Sequence, residues 1–320
     1  MNAVITKWQF ALQSIEKYNS VALLYVLKSK GSSPGRQGFC MFVNEEEKMV
    51  GSIGGGIMEH KFVEMVKDNF KNYKKENSFH CQIHDKSALQ NQSGMICSGE
   101  QSIAVTFLSN KNVNSIQSII QSLKENKKIT IHLSSIDFFT SSDEMNFQYE
   151  FEKINENNWV YKESLGYSNH LTIIGGGHCA LAFSKIMFDL NFYIRLYDDR
   201  ESLNTMEQNV FVHEKIFLNN YSDLNNKVVN LPNHFIVLMT MGYRTDAIAI
   251  RALKDKHCKY LGILGSKNKT NQLLNELKNE GYGKQFIESI STPIGLQIKS
   301  ETPEEIAISI AAEIIQYKNN

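Results

Sequence analysis

Leu171-Thr172-Ile173-Ile174-Gly175-Gly176-Gly177-His178-Cys179-Ala180 is the stretch on which the fold turns. Four apolar or β-branched residues read as a strand, three glycines as a tight turn, and Ala180, Phe183, Ser184 and Met187 as one face of a helix. The turn satisfies G-x-G-x-x-A. Gly175 allows the bend, Gly177 lets backbone approach a pyrophosphate, and Ala180 permits close helix–strand contact. The free N–H groups opening the helix, with His178 among them, face the same space.

Working outward, residues 192–197 form the next apolar run and end at Asp198, some twenty residues on. A carboxylate there can accept hydrogen bonds from an adenine-ribose diol, which favours NAD-like or other adenosine-bearing ligands. Arg200, two residues later, keeps a 2′-phosphorylated ligand open. Two further short apolar runs, 235–239 and 260–264, each precede a helical pattern, 246–254 and 268–280. Glu304 to Tyr317 closes the chain as a helix with Thr302 as its cap, Pro303 in its first turn, and Ile306, Ile310 and Ile314 on its buried face. Such alternation predicts a Rossmann-like domain with a parallel sheet over residues 168–320.

The N-terminal half is patterned differently. Trp8, Ala11, Leu12 and Ile15 lie on one helical face, and the apolar run of residues 21–27 reads as a buried strand. Gly31-Ser32-Ser33-Pro34-Gly35-Arg36-Gln37-Gly38 is a loop by composition, followed by strands at 39–43 and 49–50. Gly51-Ser52-Ile53-Gly54-Gly55-Gly56 then precedes a helix carrying Met58, Phe62, Met65 and Val66. Small residues before a helix open a concavity of backbone donors suited to an anion. Glu59 would sit badly beside a phosphate and suits a pterin amine edge; Arg36 supplies the opposing charge. Tight turns between packed strands are the alternative reading. Residues 71–93 are polar and read as a surface excursion. A strand at 102–108, a helix at 113–123 and a strand at 129–133 follow, and 134–168 reads as short strands or hairpins. The expected layout is a smaller N-terminal α/β domain over 1–110, a bridge of helix and strands over 111–167, and the Rossmann-like domain.

Composition bounds the function. The chain has 320 residues, 42% apolar and 21% charged, with 34 basic and 34 acidic residues, so its formal net charge is zero. That is globular composition, and it removes any global argument for nucleic-acid or membrane binding. Five scattered cysteines without a C-x-x-C pair suggest neither a disulfide scaffold nor a zinc site; a soluble chain in a reducing cytoplasm is the expectation. Cys97, in the turn Gly94-Met95-Ile96-Cys97-Ser98-Gly99, suits a reactive thiol and soft metal ligand, or a small buried hydrophobe. Cys40 and Cys258 read as the latter, and Cys179 is open to both. His178 and Asp246 are the acid–base candidates at the C-terminal sheet edge, with Arg244 and Lys267 nearby, but no recognised catalytic motif assembles from them.

Together these motifs resemble the XdhC/CoxI family, the accessory proteins of molybdenum hydroxylases. The resemblance rests on Gly31-Ser32-Ser33-Pro34 with Gly38 and Met41, the 51–56 turn with Glu59, Cys97-Ser98-Gly99, Gly175-Gly176-Gly177-His178, and Asp198 with Arg200. It continues through Gly265-Ser266-Lys267-Asn268-Lys269, Pro293-Ile294-Gly295-Leu296 and Thr302-Pro303-Glu304-Glu305-Ile306-Ala307. Two departures stand out: Ser98 replaces a glycine, and Thr240-Met241, followed by Gly242, Tyr243 and Asp246, stands where a threonine–histidine pair with an acid several residues later is common. The resemblance implies a non-enzymatic maturation factor that binds molybdenum cofactor (molybdopterin), protects it during sulfuration and delivers it to a xanthine dehydrogenase-type hydroxylase. It further implies a sulfurtransferase partner, a homodimer, and Cys97 as the residue on the metal side. The alternatives are an NAD-dependent oxidoreductase using His178 and Asp246, and an interaction module with a vestigial nucleotide site.

Overall fold

The computed structural model describes residues 3–83, 99–143, 145 and 147–319. They form two compact units, Met1–Gly166 and Tyr167–Asn320.

The first unit begins with α1 (Ala3–Tyr18), which ends where Asn19 turns left-handed at φ 62° and its N–H closes on Ile15 O at 2.8 Å. A short polar side chain tolerates that cap better than any β-branched one. β1 (Ser20–Lys30), β2 (Cys40–Val43), β3 (Met49–Gly51), α2 (Gly56–Lys71), β4 (Ser78–Ile83) and β5 (Glu100–Ser109) follow. The strands make an antiparallel sheet in the order β3-β2-β1-β5-β4. β1 is central and covered on both faces, which is why its apolar run does not alternate. Val21, Leu23, Tyr25 and Leu27 join a core with Trp8 and Ile15 of α1, whereas Ala22, Leu24 and Val26 face Met58, Phe62 and Val66 of α2.

The segment expected to bridge, 111–167, packs into this unit. It supplies α3 (Val113–Lys124), β6 (Ile129–Ser134), β7 (Phe138–Ser141), β8 (Tyr149–Asn155) and β9 (Asn158–Leu165), whose strands form a second antiparallel sheet, β7-β6-β9-β8. Ile116, Ile119, Ile131, Trp159 and Tyr161 complete the core under β1. The 71–93 excursion contains a strand after all: β4 runs Ser78↔Val105 to Ile83↔Glu100 against β5, at the sheet edge. Only Phe79 of β4 is buried, so its sequence shows no apolar stripe.

The second unit contains β10 (Asn169–Ile174), α4 (His178–Asp189), β11 (Phe192–Asp198), α5 (Asn204–Gln208), β12 (Glu214–Phe217), α6 (Leu224–Lys227) and β13 (His234–Leu238). It continues through α7 (Tyr243–Ala252), β14 (Tyr260–Ile263), α8 (Lys267–Asn279), α9 (Lys284–Ser289), β15 (Ile290–Ser291) and α10 (Pro303–Asn319). All strand pairs are parallel, in the order β12-β11-β10-β13-β14-β15, the 3-2-1-4-5-6 order of a Rossmann fold. α4 and α10 bury Phe183, Met187, Ile310 and Ile314 on one face; α7 and α8 bury Ile250, Leu273 and Leu277 on the other. α10 opens with a capping box, since Glu305 N–H donates to Thr302 Oγ1 at 3.2 Å and Thr302 N–H donates to Glu305 Oε2 at 3.2 Å. The strand order reverses beside β10, so the turns after β10 and β13 flank the crevice where such sheets bind ligands.

Candidate functional site

In the first unit, three segments of backbone meet with no room for side chains. A Cβ on Gly35 would lie 2.0 Å from Ile53 O, one on Gly54 would lie 2.6 Å from Gly35 N, and one on Gly99 would lie 2.5 Å from Ser32 O. Gly54, Gly55 and Gly56 run consecutively at φ 131°, 75° and 69°, a path that L side chains resist. Buried Gln101 of β5 ties the turn down by donating from Nε2 to Ile53 O at 3.1 Å. The glycines thus serve close packing first.

The donors of this turn are already engaged. Glu59 Oε2 accepts from Ser52 Oγ at 2.6 Å, Ile53 N at 2.9 Å and Gly55 N at 3.0 Å, while Gly54 N donates to Ser52 Oγ at 3.0 Å. A carboxylate of the chain itself occupies the place that the sequence suggested for an anionic ligand, and Glu59 holds the turn rather than presenting itself outward. Ser33 is likewise internal, donating to Gly35 O at 3.0 Å. Gly31, Ser32, Arg36 and Gly56 are exposed, and nothing lies within 4 Å of a Cβ placed on Gly55. Arg36 braces its own loop by donating from Nη1 to Gly31 O at 3.1 Å. Cys97 and Ser98 lie outside the described residues; Gly99, two residues after Cys97, is buried at this junction.

Beneath the same loop lies a group that the sequence reading missed. Gly38 takes φ 87°, and a Cβ there would lie 3.1 Å from Glu163 Oε1 and 3.1 Å from Tyr149 Oη. Glu163, only 6% exposed, accepts from Tyr25 Oη at 2.5 Å and Tyr161 Oη at 2.8 Å, both at Oε2. Burial pushes its carboxyl up to about 7, against the two tyrosine hydrogen bonds and the charge of Lys7, which pull it down. Its signal was available: Trp159, Tyr161, Glu163 and Leu165 alternate inward along β9, which puts an acid on a core-facing position.

In the second unit, Gly175 takes φ 104°, and a Cβ would lie 2.4 Å from Met239 O, so the turn after β10 presses against the end of β13. Gly177 has open space where its Cβ would be, and His178, the first residue of α4, is exposed. Asp198 departs from its expected role. Fully buried, it accepts from Gly176 N at 2.6 Å and Arg200 Nη2 at 2.7 Å on Oδ2, and from Arg200 N at 2.9 Å and Nε at 2.8 Å on Oδ1. Burial alone would raise its carboxyl, but the Arg200 and Gly176 hydrogen bonds outweigh it and hold the group below its ordinary value.

A second buried acid, Asp246, stands after β13. Thr240 Oγ1 donates to its Oδ1 at 2.5 Å and Lys269 Nζ to its Oδ2 at 2.6 Å, linking the loop after β13 to the start of α8. Ser266 caps that helix, accepting from Lys269 N at 3.4 Å. Arg244 and Lys267 are exposed. Asp246 is therefore committed to an ion pair while His178 stands in solvent, and the two do not form an acid–base pair. Met241 is 83% exposed, with its Sδ 3.7 Å from Arg200 Nη1. Among the described residues, Cys40, Cys81, Cys179 and Cys258 are free, and no cluster of three His, Cys, Asp or Glu could hold a metal. No helix among them is long and apolar enough to cross a membrane.

Comparison with known proteins agrees with this architecture. Residues 171–314 match the XdhC Rossmann domain, and residues 14–75 match the XdhC and CoxI family. The chain is 26% identical over 303 residues to the uncharacterized protein YqeB of Escherichia coli (strain K12), covering 93% of this chain and 44% of that protein. It is 39% identical over 87 residues to a probable xanthine dehydrogenase subunit of Bacillus subtilis (strain 168), covering 27% of this chain and 24% of that one. The chain thus spans less than half the length of the curated relatives it matches. A crystal structure described as a xanthine dehydrogenase from Bacillus halodurans superposes with a TM-score of 0.74 at 22% identity, over 98% of this chain and 96% of that one, which is a likeness of fold. The chain belongs to the XdhC and CoxI family.

Proposed function

We propose that this XdhC and CoxI family member is an accessory protein for maturation of a xanthine dehydrogenase-type molybdenum hydroxylase, and that it carries molybdenum cofactor to that enzyme. The observation that carries the reading is the backbone junction of Gly35, Gly54 and Gly99, which holds the loop exposing Ser32 and Arg36 against Gly99, the residue that follows Cys97 by two in the sequence. The bound cofactor would supply a phosphate at one end and a molybdenum centre at the other. Arg36 and Ser32 suit the phosphate, as a charge-assisted and a neutral donor, and a thiolate at Cys97 suits a soft metal centre. Ile53, Gly54 and Gly55 give their N–H groups to Glu59 and Ser52, so their part is to shape the loop.

A sulfurtransferase, the recipient hydroxylase and a second copy of the chain are the partners proposed with this role. The Asp198–Arg200 arrangement favours one further reading, an interaction module whose nucleotide site is vestigial; it predicts tight association with a hydroxylase subunit and no cofactor. Molybdenum and pterin content of the full chain, purified after co-expression with its hydroxylase, separates the two. The carrier reading expects Cys97→Ser to lose about tenfold or more of the bound molybdenum, the scale of one lost charged contact, with an unchanged circular dichroism spectrum. Full retention of molybdenum by that variant would refute it.

A further inference from the structure

A Rossmann domain with an open glycine turn implies a dinucleotide, and the pyrophosphate half of that site fits: space lies beside Gly177 where its Cβ would be. The ribose half does not. A carboxylate offers about four lone-pair positions, two on each oxygen. At Asp198 each oxygen already has two donors, Arg200 N and Nε on Oδ1, Gly176 N and Arg200 Nη2 on Oδ2. Nothing remains to accept the two hydroxyls of an adenine ribose. Three of the four donors belong to Arg200, and its two side-chain donors take one position on each oxygen, as a bidentate diol would.

We propose that Arg200 is a specificity-determining latch that occupies the diol-binding face of Asp198, so that this domain rejects ligands whose recognition depends on a ribose diol. The pair is well placed for it. Asp198 is fully buried and cannot turn to solvent, whereas the Arg200 side chain is one-third exposed and reaches Met241 at the crevice rim. The latch belongs to the second unit alone and stands whether or not the first carries a cofactor.

Calorimetric titration of the full chain with NAD and ADP tests it. The natural sequence should show no saturable binding of either up to a few millimolar. Arg200→Met, which keeps the aliphatic stem and removes both side-chain donors, should gain about tenfold or more in affinity for NAD and ADP, the worth of a charge-assisted contact no longer in competition. The sign is diagnostic, because deleting a cation on electrostatic grounds alone weakens binding of an anionic ligand. The gain should be absent for 2′-deoxy-ADP and should vanish when Asp198→Asn is added. Arg200→Leu, which likewise carries no side-chain donor, serves if the methionine variant does not fold, judged by its melting curve. Micromolar binding of NAD by the natural sequence, or a folded Arg200 variant that gains nothing, would overturn the proposal.

Discussion

Among the described residues Glu163 is buried without a cationic partner at hydrogen-bond distance, so its contribution to the first unit is lost as pH rises from the acid range to neutrality. Its carboxyl rises from 4.5 to about 7 on folding. For a group whose folded value lies above its unfolded one, the stabilising contribution is complete below the unfolded value and is lost as pH climbs through the folded one. The loss therefore begins above pH 4.5 and is complete above about pH 7. A rise of this size corresponds to about 3 kcal/mol at about 1.4 kcal/mol per pH unit. The groups facing it are the phenols of Tyr25 and Tyr161, which donate to it, Tyr149 across Gly38, the thiol of Cys40 and the ammonium of Lys7. Burial and the Glu163 charge push the tyrosines and Cys40 upward, so none of these ionises in the window of interest.

Glu163→Gln keeps shape and one acceptor for the tyrosine hydroxyls but has no proton to lose. Urea unfolding at a series of pH values, followed by tryptophan fluorescence, isolates the effect. Both tryptophans, Trp8 and Trp159, are buried in the first unit, so the signal is blind to the second. The stability difference between the natural chain and the Glu163→Gln variant should be flat below about pH 4.5 and shift by about 3 kcal/mol in favour of the variant by about pH 8. Parallel curves across that range would show that Glu163 does not ionise as its burial requires.

Two further outcomes are expected. Replacing Glu59 by alanine strands the Ser52 hydroxyl and the Ile53 and Gly55 N–H groups, which costs about 1–3 kcal/mol at this half-buried site; millimolar sulfate should restore part of that loss in the variant and none in the natural chain, read as a melting shift by tryptophan fluorescence. In the second unit, His234 is 1% exposed and its imidazole is pushed down from 6.5 to about 4, first by burial. Stability tied to it is present above pH 6.5 and lost as pH falls through 4, up to about 3 kcal/mol, so scanning calorimetry should show His234→Gln flattening the acid limb of the second unit.

The parallel domain was legible because its signals are local: a strand, a glycine turn and a helix lie within seventeen residues of Leu171, and close approach to Met239 forces glycine at 175. The run of residues 21–27 was equally readable, since a strand covered on both faces cannot hide its composition. What escaped was short or half-exposed. β4 buries one phenylalanine, and α5, α6, β12 and α9 are four to six residues long, too brief to establish a period. Residues 111–167 read as a bridge because Ser, Asn and Glu on the outward faces of β7, β8 and β9 mask the inward set of Phe138, Trp159 and Tyr161.

The site residues teach a more specific lesson. At each of the glycine turns, and again after β13, an acid of the chain itself meets the donors that a ligand would use: Glu59 at Ile53 and Gly55, Asp198 at Gly176, Asp246 at Thr240 and Lys269. Sequence spacing marks where backbone donors gather, but an internal carboxylate within reach satisfies them at no cost in association entropy, and a bound anion must outcompete it. Such a competition favours ligands that bring a second contact elsewhere. In the first unit that contact is Arg36, exposed and bonded only to a neutral carbonyl among its described hydrogen bonds; in the second, Arg200 is spent on Asp198. The asymmetry places the strongest case for an anionic ligand at the 31–38 loop, and it predicts that salt weakens any cofactor retention there through Arg36 while leaving the second unit unaffected.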